Sequence, residues 1–209
     1  SDGNLTFKNS KVNYSGSYGL RGNFNNRTIL IEDSEITGAQ SNAIDFRGSW
    51  RNSGSFTMRG SKIKNNNNGS VYFNEPGEVL FEDNEITNNS QAYFRVERQK
   101  GDVIVKNNIF SNNKNAGLSI QSGENDEKGL SVLVESNSIT EGSSNSNEGI
   151  NVSSMQKGTA ILIKNNVINN RSSGIQVYDY YNNDAKILGN TIKGTQQQST
   201  GIRVSGRTK

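Results

Sequence analysis

One segment recurs eight times along this 209-residue chain, and its spacing restricts the fold more than any other feature. The copies are LTFKNSKV ending at Val12, ILIEDSEI at Ile36, FTMRGSKI at Ile63, VLFEDNEI at Ile86, VIVKNNIF at Phe110, VLVESNSI at Ile139, ILIKNNVI at Ile168 and AKILGNTI at Ile192. Successive copies lie 24, 27, 23, 24, 29, 29 and 24 residues apart. A nearly constant period with a variable remainder is one solenoid turn whose loops differ in length.

Each copy reads as a strand with inward residues two apart, a two-residue turn of Asn, Asp, Gly or Ser, and a short strand closed by an apolar residue. Turn positions such as Asn165 and Gly189 call for left-handed backbone, which Asn and Gly tolerate. After a polar loop comes a third strand with alternate inward side chains: Ile44/Phe46, Val71/Phe73, Phe94/Val96, Leu118/Ile120, Ile150/Val152, Ile175/Val177 and Ile202/Val204. Three strands per turn predict an all-β parallel β-helix of about eight three-strand rungs, filling residues 1–209 as a single domain. The spaced-Leu consensus of leucine-rich repeats, the Gly-rich calcium nonapeptide and a Thr-x-Thr ladder are all missing. Polar terminal caps are not evident, so the end rungs are expected to pack on other segments or to leave their edges exposed.

Charge placement supports this alignment. Stacked parallel strands put equivalent residues of successive turns ~4.8 Å apart. The outward residues at the end of the first repeat strand are Lys8, Glu32, Arg59, Glu82, Lys106, Glu135 and Lys164, and the sign alternates at every step. Lys11, Glu35, Lys62 and Glu85 alternate again on the short strand. The predicted ladders place opposite charges side by side, at ~0.2–1 kcal/mol per pair.

Composition then narrows the chemistry. Only 30% of residues are hydrophobic, which without the repeat would suggest disorder. The chain has no His and no Cys, so the usual general base, His-based triads, disulfides and the usual copper or zinc ligands are missing. No cofactor and no metal is expected. A net charge of +3 does not call for nucleic acid, and no apolar run is long enough to span a bilayer.

The outward residues of the third strands form a long polar face. One row is Gly19, Asp45, Tyr72, Arg95, Ser119, Asn151, Gln176 and Arg203, and the next is Arg21, Arg47, Asn74, Glu97, Gln121, Ser153, Tyr178 and Ser205. Arg21 and Arg47 are expected to be ladder neighbours, a like-charge pair that an acidic ligand would relieve. The predicted ligand-binding residues are Arg21, Arg47, Trp50, Arg51, Tyr72, Arg95 and Arg98, with Lys100 nearby. Guanidinium groups fork onto carboxylates and aromatic rings offer flat faces to sugars. The competing reading is a solvated ion lattice, with Asp45 compensating Arg47 and Glu97 compensating Arg95. Tyr178, Tyr180 and Tyr181 form a secondary candidate site. On the first strands, Leu30, Leu80, Ile104, Leu133 and Leu162 make an outward aliphatic stripe that points to self-association or domain docking, or to cover by the chain's own loops.

For catalysis, Asp45 and Glu97 are the candidate carboxylates, but each has an Arg two residues away that favours the ionised form. No acidic cluster accompanies them, and no catalytic residue is assigned.

The run Asn4-Leu5-Thr6-Phe7-Lys8-Asn9, the step Tyr18-Gly19, Thr28-Ile29-Leu30 and Thr37-Gly38-Ala39-Gln40 together resemble the pectate-lyase-like adhesive domains of Gram-positive surface proteins. They are also similar to the β-solenoid binding regions of lactobacillar serine-rich repeat adhesins. The resemblance implies a right-handed, pectate-lyase-like β-helix within a larger surface protein, secreted or attached to the cell wall. It also implies non-catalytic adhesion to a host or matrix glycan, an acidic one in some cases. A polyuronate lyase, epimerase or glycosidase is the alternative function, and a structural solenoid or phage-fibre segment a further one.

Overall fold

The computed structural model describes residues 3–13, 16–24, 26–49, 53–123, 129–141, 148–154, 156–169, 173–181, 183–194 and 200–206. Its strands form three parallel sheets of eight, so the chain coils through eight rungs of three strands, as the repeat predicts. The first sheet runs from Leu5–Lys8 to Ala185–Leu188, the second from Lys11–Asn13 to Thr191–Lys193, and the third from Leu20–Asn23 to Thr200–Gly206. Every described residue pairs only with the rung before or after it in these sheets.

The first corner of each rung explains its two turn residues separately. The leading one takes positive φ: Asn9, Asp33, Gly60, Asp83, Asn107, Ser136, Asn165 and Gly189 lie between 48° and 62°. This swings the following residue inward, and from rung 4 that residue is always Asn. Asn84, Asn108, Asn137 and Asn166 are buried in a stack. In rungs 5 to 7 each Oδ1 accepts from the backbone N–H and side-chain amide of the Asn one rung earlier, as Asn108 does from Asn84 and Asn137 from Asn108, while Asn84 Oδ1 accepts from Ser61 N. Ser34 and Ser61 take the same place in rungs 2 and 3 with hydroxyls in place of amides. A shorter ladder of Asn66, Asn89 and Asn113 closes the second corner. Tight corners strip the backbone of ladder partners, and the buried amides supply them.

The rest of the interior is apolar. Phe24, Phe46, Phe56, Phe73, Phe81 and Phe94 form a chain of ring contacts, with centroids 4.3–6.1 Å apart. At the last rung the inward side chains are uncovered, Ile202 being 51% and Val204 61% exposed.

The charge ladders form as the alternation predicts. Glu32, Arg59 and Glu82 sit side by side, and the register continues through Lys106, Glu135 and Lys164. Glu32 binds both Lys8 and Arg59. In the second series Glu35 pairs with Lys11 at 2.8 Å, but its other oxygen takes Lys64 rather than Lys62. The hydrogen bonds from Lys8 and Arg59 hold Glu32 below the usual 4.5, and those from Lys11 and Lys64 do the same for Glu35. A carboxyl lowered in the folded state adds stability that is complete above its unfolded value and is lost as pH falls through the folded one. The melting temperature should therefore hold down to about pH 5 and decline below it, and the decline should be shallower in Glu32→Gln/Glu35→Gln. Parallel melting curves for the two proteins would show that these ion pairs carry none of the acid sensitivity.

Candidate polysaccharide groove

The third sheet carries an open groove of about 590 Å³ lined from rungs 2 to 5. Arg47 comes from the strand Ile44–Arg47, Tyr72 from Val71–Asn74, Arg95 and Glu97 from Gln91–Gln99, and Ser119 from Asn115–Ser122. Strand alternation sets all five outward while Phe46, Phe73, Phe94 and Val96 anchor the opposite face in the core. The register runs Asp45, Tyr72, Arg95 and Ser119 across consecutive rungs.

Tyr72 is central. Its hydroxyl donates to Glu97 Oε2 at 2.6 Å, and the Arg47 guanidinium lies 5.4 Å from its ring centroid. Burial, and then the hydrogen bond to Glu97, push the phenol up to about 12. Tyr72 is therefore a fixed donor at neutral pH and a poor proton acceptor. Arg47 gives Nε and Nη2 to Asp45 at 2.9 and 3.2 Å, and Arg95 pairs with Glu97. Both guanidinium side chains stay about half exposed, at 49% and 56%. The ion lattice expected as the competing arrangement is thus present, and it leaves the outer surface of both cations open to a ligand.

Asn42, Asn68, Ser70, Gln91 and Tyr93 line the other side. Asn68 Nδ2 donates to Asn42 Oδ1 at 3.1 Å, Asn42 Nδ2 to Asp45 Oδ2 at 3.1 Å, and Asn68 Oδ1 accepts from Ser70 N at 3.0 Å. The repeat pattern of the sequence does not announce this wall of amides. Gln91 and Tyr93 were within reach, because the alternation of Phe94 and Val96 extends back to Ala92 and turns both outward. Asn42 and Asn68 sit in loops of different length, where no repeat signal exists.

Three expectations are corrected. Arg21 pairs with Asp45, whereas Arg47 pairs with Asn23 and Asn74, so Arg21 and Arg47 are not ladder neighbours and no like-charge pair exists. The first-rung strand is displaced by two residues: Leu20 opposes Ile44, and Gly22 leaves room for the Phe46 ring, which would lie 2.9 Å from a Cβ there. A glycine in the inward column carries no hydrophobic signal, so Leu20 alone misplaced the register. Arg21 lies instead 4.5 Å from the Tyr18 ring centroid, outside the groove lining. Arg98 sits at positive φ in an irregularity near the end of the strand Gln91–Gln99, outside the groove lining, where it donates to Asn74 Oδ1 at 3.2 Å. Asp45, expected on the solvent side, is fully buried beneath Arg47 and Asn42.

Trp50 and Arg51 lie outside the described residues. Lys100 donates to Ser49 O at 3.4 Å, away from the groove lining. The tyrosines of rung 7 form a separate patch. Tyr178 donates to Gln176 Oε1 at 2.8 Å with Arg203 5.9 Å from its ring, and Tyr180 and Tyr181 stand exposed on the following turn. Among the described residues no three acidic side chains converge as a metal site would need.

The family model of the right-handed β-helix region matches residues 1–154. The chain belongs to this family. The β-helix continues past the match without a break, since rungs 7 and 8 extend the same three ladders. Comparison with curated proteins and with solved structures gives no match. The right hand of the coil and the pectate-lyase-like fold expected from the sequence follow from this membership, which spans both enzymes and non-enzymes.

Proposed function

We propose that this β-helix is a non-catalytic, extracellular adhesin module that holds an extended acidic polysaccharide along the groove of its third sheet. The observation that carries the reading is the pair of half-exposed guanidinium groups, Arg47 and Arg95, set on either side of Tyr72 and faced by an amide wall. Arg47 and Arg95 stand two rungs apart, about 10 Å along the axis at the ~4.8 Å strand spacing. A polymer lying along the axis meets them in turn, with its hydroxyls against Asn42, Asn68 and Gln91. The candidate carboxylates are poorly placed for turnover, since Asp45 is buried under Arg47 and Glu97 is occupied by Tyr72 and Arg95. A surface module, secreted or attached to the cell wall, suits a preformed groove that needs little ordering on binding.

The test is retention on immobilised polygalacturonate at two salt concentrations. Arg47→Ala/Arg95→Ala should weaken binding on the order of 100-fold, from two charge-assisted contacts of ~1.5 kcal/mol each. Wild-type binding should fall as salt rises. Undiminished binding by the double variant would move the site elsewhere, with Tyr178, Tyr180 and Tyr181 next in line.

A further inference from the structure

We propose that the first sheet is a self-complementary surface through which two copies of this chain associate, antiparallel, about a two-fold axis between rungs 5 and 6. The middle outward column of that sheet is Thr6, Leu30, Thr57, Leu80, Ile104, Leu133, Leu162 and Lys186, in unbroken register. Leu80, Ile104, Leu133 and Leu162 make a continuous aliphatic stripe of four rungs, all half-buried. Thr57 separates Leu30 from it.

The flanking charges select the partner. On one side of the stripe, rungs 4 to 7 carry Glu82, Lys106, Glu135 and Lys164. On the other they carry Glu78, Asp102, Ser131 and Ala160. A stripe of an even number of rungs has its own two-fold between the middle pair. Rotation about a strand-parallel axis there sets Leu80 against the second copy's Leu162 and Ile104 against its Leu133. Rung 4 then faces rung 7, and rung 5 faces rung 6. Glu82 therefore meets Lys164, and Lys106 meets Glu135. The acids on the other side, Glu78 and Asp102, meet the uncharged Ala160 and Ser131. No like charges oppose one another across these four rungs, and an isologous contact requires this of a surface that meets itself. The parallel arrangement, turned about the solenoid axis, fails the same test because it sets Glu78 against Glu82.

Three columns by four rungs cover about 300–400 Å² per copy, below the ~800 Å² per partner of stable complexes. The association should accordingly be weak, with a dissociation constant on the order of 100 μM. It is independent of the polysaccharide reading, since the groove occupies a different sheet.

Sedimentation velocity across a concentration series tests it. Wild type should pass from monomer to dimer, Leu133→Lys should weaken the dimer at least tenfold, and Leu30→Lys, outside the stripe, should leave it unchanged. Because the chain lacks cysteine, one spin label on Thr57→Cys reports the geometry. Labels in the antiparallel dimer lie five rungs apart, about 24 Å along the axis, whereas a parallel dimer brings them within ~10 Å. A chain that stays monomeric to about 1 mM, a dimer insensitive to Leu133→Lys, or a short label distance would overturn the proposal.

Discussion

Replacing Asn108 by leucine, which keeps the branched outline of the side chain but none of its polar atoms, should destabilise the β-helix by about 3–5 kcal/mol. Asn108 is fully buried in rung 5. Its Nδ2 donates to Phe81 O, Lys106 O and Asn137 Oδ1, each at 2.9 Å, and its Oδ1 accepts from Asn84 N and Nδ2 at 3.0 Å. Leucine removes all of these. The Asn84 N–H then loses its acceptor at a tight corner that water does not reach, a cost of ~1–3 kcal/mol, to which the two amide protons of Asn108, shared among those three acceptors, add ~1 kcal/mol of lost net bonding each. For a chain of this length the melting temperature should fall on the order of 10 °C. The backbone ladders join each rung only to its neighbours, so the lesion should speed hydrogen exchange first in rungs 4 to 6. A fall of under about 3 °C in melting temperature would show that the stacked amides fill space without carrying the corner.

A second large effect is expected at Phe94. Its ring, fully buried in rung 4, lies 4.8 Å from Phe81 of the same rung and 6.0 Å from Phe73 of rung 3. Phe94→Ala should cost about 3–5 kcal/mol, from lost transfer energy and the cavity left behind. The consequence reaches the groove, because Phe94 anchors the strand that presents Tyr93, Arg95 and Glu97 outward. Phe94→Leu keeps most of the volume and should recover more than half of the loss. Calorimetric melting of the two variants checks this, and equal stability of Phe94→Ala and wild type would mean that the ring chain is not a packing unit.

The fold was legible because its strongest signals are tied to single positions. Sign alternation from Lys8 to Lys164 does not depend on loop length, so it aligned the first sheet to the residue. The Asn columns were visible as turn residues but not as a buried ladder, because the same sequence pattern serves an exposed turn. Only the positive φ at Asn107 and its equivalents turns the next amide inward. In the groove, Arg47, Tyr72 and Arg95 were legible from strand alternation. Gly22 hid the register of the first rung, and with it went the expected contact between Arg21 and Arg47. Arg98 missed the groove for a comparable reason: the register shifts between Val96 and Gln99, and two-residue periodicity does not survive such an irregularity.

A groove that holds an acidic polysaccharide and leaves it intact must both bind the sugar and return it unchanged. Titration calorimetry of wild type with a polygalacturonate oligomer, followed by analysis of the sugar recovered from the cell, tests both halves at once. Binding should be saturable, weaken with salt, be lost with the uncharged methyl ester of the same oligomer, and return the sugar at its original length. Release of unsaturated or shortened sugars would contradict the non-catalytic reading, and equal binding of the acid and its ester would contradict the role given to Arg47 and Arg95.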